Sequence, residues 1–209
     1  MSAPGVPSVS AEARAWLAGG GVVAAPTETF FGLLADVTRP AAVSRLLALK
    51  PRAPSKGMPV LLPSYGAWSG LAEALPPLAC ELAAAFWPGP LTIALPARAG
   101  VDERLVLDRT LAVRLPGASV AAALARALGR PLSATSANLP GEAPARDAAQ
   151  VRASFSHAMG EHRLLVVDGL APGGAPSTVV TVEGARARVA RVGAISLEAL
   201  RAVAGDALE

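Results

Sequence analysis

The chain alternates short apolar runs with stretches in which apolar residues recur every three or four positions, the rhythm of strands and helices in an α/β domain. Residues 10–18 read as a helix, with Ser10 able to cap its start and Gly19-Gly-Gly21 ending it. Residues 22–25 are a short buried strand. Residues 40–49 form a helix with Val43, Leu46 and Leu47 on one face, and 58–62 a strand. The stretch 71–86 is mostly helical and broken at Pro76-Pro77, and Trp87-Pro-Gly-Pro90 is a rigid turn that packs Trp87 on the core. Strands follow at 91–95 and 110–116, then a helix at 120–128 that Gly129 ends. A strand starting at Leu132 runs into small polar residues and stops at Pro140-Gly141. Residues 147–155 are helical, 164–168 a strand and 169–174 a loop. Residues 177–181 and 188–191 pair as antiparallel strands across Glu183-Gly184, and Ser196 caps a last helix to about Val203. No internal repeat or linker interrupts the pattern, which predicts one α/β domain with a mixed sheet.

Composition sharpens this. Hydrophobic residues make up 52% of the 209 residues but aromatics only 4%, so Ala, Val and Leu must build the core. The net charge of +3 is too small for a dedicated nucleic-acid coat but leaves room for a local basic cleft. Cys80 is alone, so no disulfide framework or cysteine metal cluster forms, and His157 and His162 are spaced for a solvated helix end or loop. There is no signal-peptide pattern, and no apolar run approaches the roughly 20 residues a membrane span needs. The expectation is a cytoplasmic protein.

Chemistry collects in a few places. Asn138 is the only asparagine, and it lies in Leu132-Ser-Ala-Thr-Ser-Ala-Asn138. Of 19 basic residues only Lys50 and Lys56 are lysines, and they flank Arg52. Ammonium and guanidinium grip phosphates differently, so this use of Lys in an Arg-biased chain points to a phosphate site. Helix-end cations are also favoured by the helix dipole alone. Pro26-Thr-Glu-Thr-Phe-Phe-Gly32 puts hydroxyls and a carboxylate at a strand end, where α/β sheets gather ligands, although a proline-initiated turn accounts for the same residues. Arg114 sits inside an apolar run. A buried guanidinium requires an anion, either a core carboxylate or an acidic ligand.

These segments together resemble the YrdC-like family of threonylcarbamoyl-AMP synthases. The resemblance rests on Pro26-Thr-Glu-Thr-x-x-Gly32, Lys50-x-Arg52 with Lys56, Trp87-Pro-Gly-Pro-Leu-Thr92, Ala112-Val-Arg114, Ser136-Ala-Asn138-x-x-Gly141, Ser177-Thr-Val-Val180 and Arg191-x-Gly193. It spans about residues 8–202, which it implies are a single YrdC-like domain of the short form, with 1–7 and 203–209 as tails. The implied fold is a twisted mixed sheet with flanking helices around a large concave basic cavity. The implied activity makes threonylcarbamoyl-AMP and pyrophosphate from ATP, L-threonine and bicarbonate, for N6-threonylcarbamoyl modification of adenosine 37 in tRNA.

The resemblance also assigns roles. Lys50, Arg52, Ser136 and Asn138 would be catalytic. Arg52, Lys56, Thr110, Ser136 and Arg191 would contact ATP. Thr29, Arg114, the backbone of Ala134 and Ser177 would contact threonine, with Thr27 beside them. Mg2+ would accompany ATP, held mainly by phosphates and water, with no protein metal cage and no prosthetic group. Possible partners are tRNA and the proteins that transfer the group to it, and no membrane. Four residues depart from the family pattern: Phe31 stands for Tyr, Gly57 for Pro, Pro176 for Glu and Val192 for Pro. The third removes a carboxylate that could order cations. Two other functions fit the same features: a YrdC-fold paralogue acting on another carbamate, or a module that binds double-stranded RNA or tRNA without catalysis. The scarcity of aromatics argues against base stacking on single strands.

Overall fold

The computed structural model describes residues 10–50, 57–161 and 163–209. The first helix, α1 (Ala11–Ala18), begins where the Ser10 hydroxyl accepts the Ala13 N–H at 3.2 Å. β1 (Val22–Pro26) and β2 (Phe31–Leu34) form an antiparallel hairpin with Pro26 opposite Phe31. Then come α2 (Pro40–Leu49), β3 (Val60–Leu61), α3 (Pro77–Phe86), β4 (Leu91–Pro96) and β5 (Thr110–Arg114). α4 (Val120–Leu128) is capped by Ser119 and closed by Gly129 at φ +67. β6 (Leu132–Ser133), β7 (Thr135–Ser136), α5 (Ala148–Ser154), α6 (Ser156–Gly160) and β8 (Leu164–Val166) follow. β9 (Thr178–Glu183), β10 (Arg186–Arg191) and α7 (Leu197–Ala204) complete the order.

The strands form two mixed ladders, one of four strands in the order β7-β2-β1-β8 and one of six in the order β10-β9-β4-β5-β3-β6. β1 shows why its sequence is apolar throughout. Val22 and Ala24 enter a core shared with β4, β5, α2 and α3, whereas Val23 and Ala25 enter a second core with α1 and α4. A strand covered on both faces cannot alternate polar and apolar residues. The expected pairing of β9 with β10 is present, with a register shift between Val189 and Arg191.

Three expectations are corrected. The helix over 71–86 is confined to α3, because Pro77 suits a first helical turn while the residue before a proline is pushed out of the helical region. Residues 71–76 are instead irregular, with Ala72 bridging to Ala97, and a short 3-10 turn, Tyr65–Gly70, comes before them. It stacks Trp68 edge-on against Trp87 at 5.0 Å, and Trp87 donates its indole N–H to the Leu91 carbonyl at 2.7 Å. β2 lies where only a loop and a glycine are legible. The strand from Leu132 is two short pieces: the Ala134 N–H still follows the register with β3, donating to the Pro59 carbonyl at 2.8 Å, and Thr135 and Ser136 then pair with the other ladder. β6 pairs with β3 and β7 with β2, so this stretch passes from one ladder to the other.

Leu107 and Thr110 exchange backbone hydrogen bonds of 2.9 and 2.8 Å around Asp108 and Arg109, at φ +48 and +62. A two-residue hairpin of this hand favours glycine at its second position. The left-handed region costs other residues about 1–2 kcal/mol, which glycine's greater unfolded-state freedom partly cancels. Arg109→Gly is therefore expected to stabilise the protein by about 0.5–1 kcal/mol. Thermal denaturation should show a raised Tm, and an unchanged or lowered Tm would contradict this reading of the turn.

Candidate active site

A cavity of about 560 Å3 opens between the two ladders, lined by residues from both. The β1–β2 turn supplies Thr27 and Thr29, the end of α2 supplies Lys50, and β5 supplies Arg114. The crossover stretch supplies Ala134, Ser136 and Asn138, and the β9–β10 side supplies Ser177 and Arg191. The expected site residues among the described ones thus come together, with one exception. Thr110 is not among the residues lining this cavity. Its hydroxyl donates to the Leu107 carbonyl at 2.7 Å, and it lines a separate concavity that carries Arg98 and Arg109 but also Glu73, Glu103, Asp108 and Glu183. Arg52 and Lys56 lie outside the described residues, as does His162. Gly57, the first described residue after Lys56, sits against Leu107.

Lys50 is nearly buried at 8% exposure, and its ammonium donates to the Ser136 carbonyl at 2.7 Å, the Ser136 hydroxyl at 3.1 Å and Asn138 Oδ1 at 3.0 Å. The chain's only asparagine and one of its two lysines therefore meet. Asn138 donates both amide hydrogens elsewhere, to the carbonyls of Leu139 at 3.1 Å and Glu142 at 2.6 Å. With its donors engaged and its oxygen turned to Lys50, Asn138 is arranged to hold the ammonium. It is not arranged to bond phosphate oxygens, which need donors. Ser136 accepts from Lys50 and keeps its own hydroxyl hydrogen to give.

The opposite wall has complementary donors and acceptors. Thr27 donates its hydroxyl to the Phe30 carbonyl at 2.7 Å, so the 3.2 Å contact between Thr27 and Thr29 hydroxyls is donated by Thr29. Thr29 then presents an acceptor. The sequence allowed either a turn or a ligand wall here, and the segment is a turn whose Thr27 and Thr29 line the cavity. Ser177 accepts from Thr92 at 3.0 Å and from Arg191 at 3.1 Å, leaving its own hydroxyl hydrogen to donate. Arg191 also grips the Ser177 carbonyl at 3.1 and 2.8 Å.

Arg114 meets both anions considered for it in part. It pairs with Glu28 at 3.2 Å, and it also lines the cavity. Burial pushes its guanidinium below the ordinary value; Glu28 counters this, and nearby Arg191 adds to it. Burial likewise pushes Arg191 down. The pair leaves Arg114 Nε and Glu28 Oε2 buried without hydrogen-bond partners. No carboxylate lines the cavity among the described residues, so Lys50, Arg114 and Arg191 give it a positive character suited to an anion.

Glu28, Thr92 and Gly193 carry weight that their motifs alone did not reveal. A Cβ on Gly193 would sit 2.1 Å from the Pro176 carbonyl oxygen, so only glycine permits this approach to the Ser177 backbone. Of the four departures, Phe31 is wholly buried and Pro176 lines the cavity. Gly57 lies close to Leu107, and Val192 is 53% exposed. His157 is exposed, as its spacing suggests. No helix among the described residues is long and apolar enough to cross a membrane.

Comparison with known proteins gives consistent similarities. The Sua5/YciO/YrdC family, described as "Telomere recombination", matches residues 15–193. A threonylcarbamoyl-AMP synthase of Thiobacillus denitrificans is 41% identical over 157 residues, covering 75% of this chain and 81% of that protein. A putative threonylcarbamoyl-AMP synthase of Mycobacterium tuberculosis is 35% identical over 188 residues, covering 89% and 84%. The crystal structure of P. abyssi Sua5 complexed with L-threonine superposes with a TM-score of 0.85 at 32% identity, over 95% of this chain. This chain spans 58% of that Sua5. E. coli YciO, at 23% identity and a TM-score of 0.77, shares the fold over 90% of this chain and 91% of its own.

Removing one partner from a buried ion pair costs about 3–5 kcal/mol, whereas replacing both with apolar groups costs far less. Glu28→Ala is therefore expected to destabilise strongly, and Glu28→Ala combined with Arg114→Met to recover most of the loss. Urea denaturation of the two variants measures the difference. Additive losses would show that the pair is not coupled.

Proposed function

The chain belongs to the Sua5/YciO/YrdC family, and we propose that it is an L-threonylcarbamoyladenylate synthase, forming threonylcarbamoyl-AMP and pyrophosphate from ATP, L-threonine and bicarbonate. The observation that carries this reading is the convergence of Lys50, Arg114 and Arg191 with Ser136, Thr29 and Ser177 on one cavity. Arg114 and the Ser177 hydroxyl suit a carboxylate, and Thr29 suits an ammonium group. An amino acid bound in this way is held at both charged ends.

In the reaction the neutral threonine amine attacks CO2 and releases a proton to solvent, or attacks the carbon of bicarbonate with loss of water, and becomes an N-carboxylate. An oxygen of that carboxylate attacks the α-phosphorus of ATP, and pyrophosphate leaves with the electrons of the broken P–O bond. No covalent intermediate on the protein is required. Positioning and charge neutralisation supply the acceleration. Lys50, oriented by Asn138, provides positive charge beside Ser136, whose hydroxyl donates to a phosphate oxygen. Arg52 and Lys56 extend the cation set along the triphosphate, with Arg191 at the nucleotide. Mg2+ arrives with ATP and offsets phosphate charge, and the lining of cations and hydroxyls fits a metal carried by phosphates and water. The working unit is residues 8–202. Its product serves tRNA N6-threonylcarbamoyl modification in the cytoplasm, passed to proteins that transfer the group to adenosine 37.

Pyrophosphate release from ATP with bicarbonate should require L-threonine, and should fall about 100-fold in Arg52→Ala and in Ser136→Ala. Release indifferent to threonine or to both substitutions would sink the assignment. Salt-sensitive RNA binding without turnover would favour the RNA module instead. Calorimetry of Arg114→Leu should show threonine affinity falling more than ATP affinity, and the opposite order would mean that Arg114 is misassigned.

A further inference from the structure

The loop between β8 and β9 lies against the backbone of Thr29, and one arginine outside the cavity holds it there. Gly173 donates its N–H to the Thr29 carbonyl at 2.6 Å. Arg146, just before α5, donates from Nη2 to the Pro172 carbonyl at 2.8 Å, and its own carbonyl accepts the Ala171 N–H at 2.7 Å. Asp147 and Leu170 add an isolated β-bridge. The guanidinium also lies directly against Gly173. A Cβ there would stand 2.6 Å from Nε and 2.9 Å from Cζ, and the residue is at φ +78.

Arg146 is itself fixed. Its N–H donates to Gln150 Oε1 at 2.7 Å, and the adjoining Ala145 carbonyl accepts the Phe31 N–H at 2.8 Å. The loop it holds contains Gly169, Gly173 and Gly174, all at positive φ, and such a segment has many competing conformations when unrestrained. Three residues beyond Gly174 stands Ser177. The contacts of Arg146 therefore bear on both Thr29 and the approach to Ser177, without Arg146 lining the cavity among the described residues.

We propose that Arg146 is a positioning residue for the amino-acid half of the site, fixing the acceptor that Thr29 presents by way of Pro172 and Gly173. The inference rests on the reading of this cavity as a threonine site. Loss of the Arg146 contacts lets the loop leave the arrangement in which Gly173 meets Thr29. Apparent threonine affinity then falls by the fraction of molecules that remain competent, while the nucleotide wall built on Lys50 and Ser136 is untouched.

Calorimetric titration of the full chain with L-threonine and, separately, ATP tests this for the wild type, Arg146→Ala, Arg146→Lys and Gly173→Ala. The expected result is a weakening of threonine binding by about tenfold in Arg146→Ala and Gly173→Ala, the scale of one charge-assisted hydrogen bond, with ATP binding within about twofold of wild type. Arg146→Lys, which keeps a donor for Pro172, should recover part of the affinity. In turnover the loss should appear in KM for threonine and not in kcat. Wild-type protein that binds no threonine would overturn the threonine reading and this inference with it. Wild-type protein that binds threonine, with Arg146→Ala binding equally well or losing both ligands alike, would overturn the inference alone.

Discussion

A buried ammonium has to be surrounded by acceptors, and the way Lys50 meets that requirement organises this molecule. Its three short bonds to Ser136 and Asn138 tie the end of α2 to the crossover between the ladders. Neither element could shift without stranding a charge in a nearly dry place, a cost of several kcal/mol. Asn138 in turn is locked by the carbonyls of Leu139 and Glu142, so its oxygen has one direction available. The lysine, the asparagine and the crossover fix one another, and together they set one wall of the cavity.

The opposite wall solves the same problem with a different partner. Arg114 is drawn into the protein by Glu28 and held near Arg191, a like charge. The arrangement leaves a positive cavity whose best complement is an anion. Glycine at 193 allows the Arg191 turn to close on Ser177. Thr178, one residue on, accepts the N–H groups of Gly193 and Ile195 at 2.9 Å each and locks that turn in place. Two sheets, each too narrow to enclose a ligand alone, thus share one concavity.

Much of this was legible in the sequence because it depends on local rules. Helix caps at Ser10 and Ser196, the buried apolar strand at 22–25 and the β9–β10 hairpin follow from side-chain period and turn chemistry. β2 was not legible, since Phe-Gly-Leu-Leu has no alternation and one of its two partners, β7, is remote in sequence. The split of the strand from Leu132 was hidden for a similar reason: its partners β3 and β2 both lie far back in the chain. In the site, residue identities could be read but not their division of labour. That Asn138 serves Lys50, that Glu28 serves Arg114 and that Thr110 lines a separate concavity depend on hydrogen-bond directions which spacing does not encode.

The cavity is assembled from Thr29, Lys50, Arg114, Ser136, Ser177 and Arg191, so its walls are drawn from nearly the whole length of the chain. Contacts at such sequence separations form only after long loops have closed, late in folding and at an entropic cost that local helices do not bear. On a ribosome, the last wall cannot exist until β10 has emerged. Binding at this cavity is then a property of the finished molecule alone, and a nascent or partly unfolded chain holds its cations apart, with nothing to concentrate an anion among them.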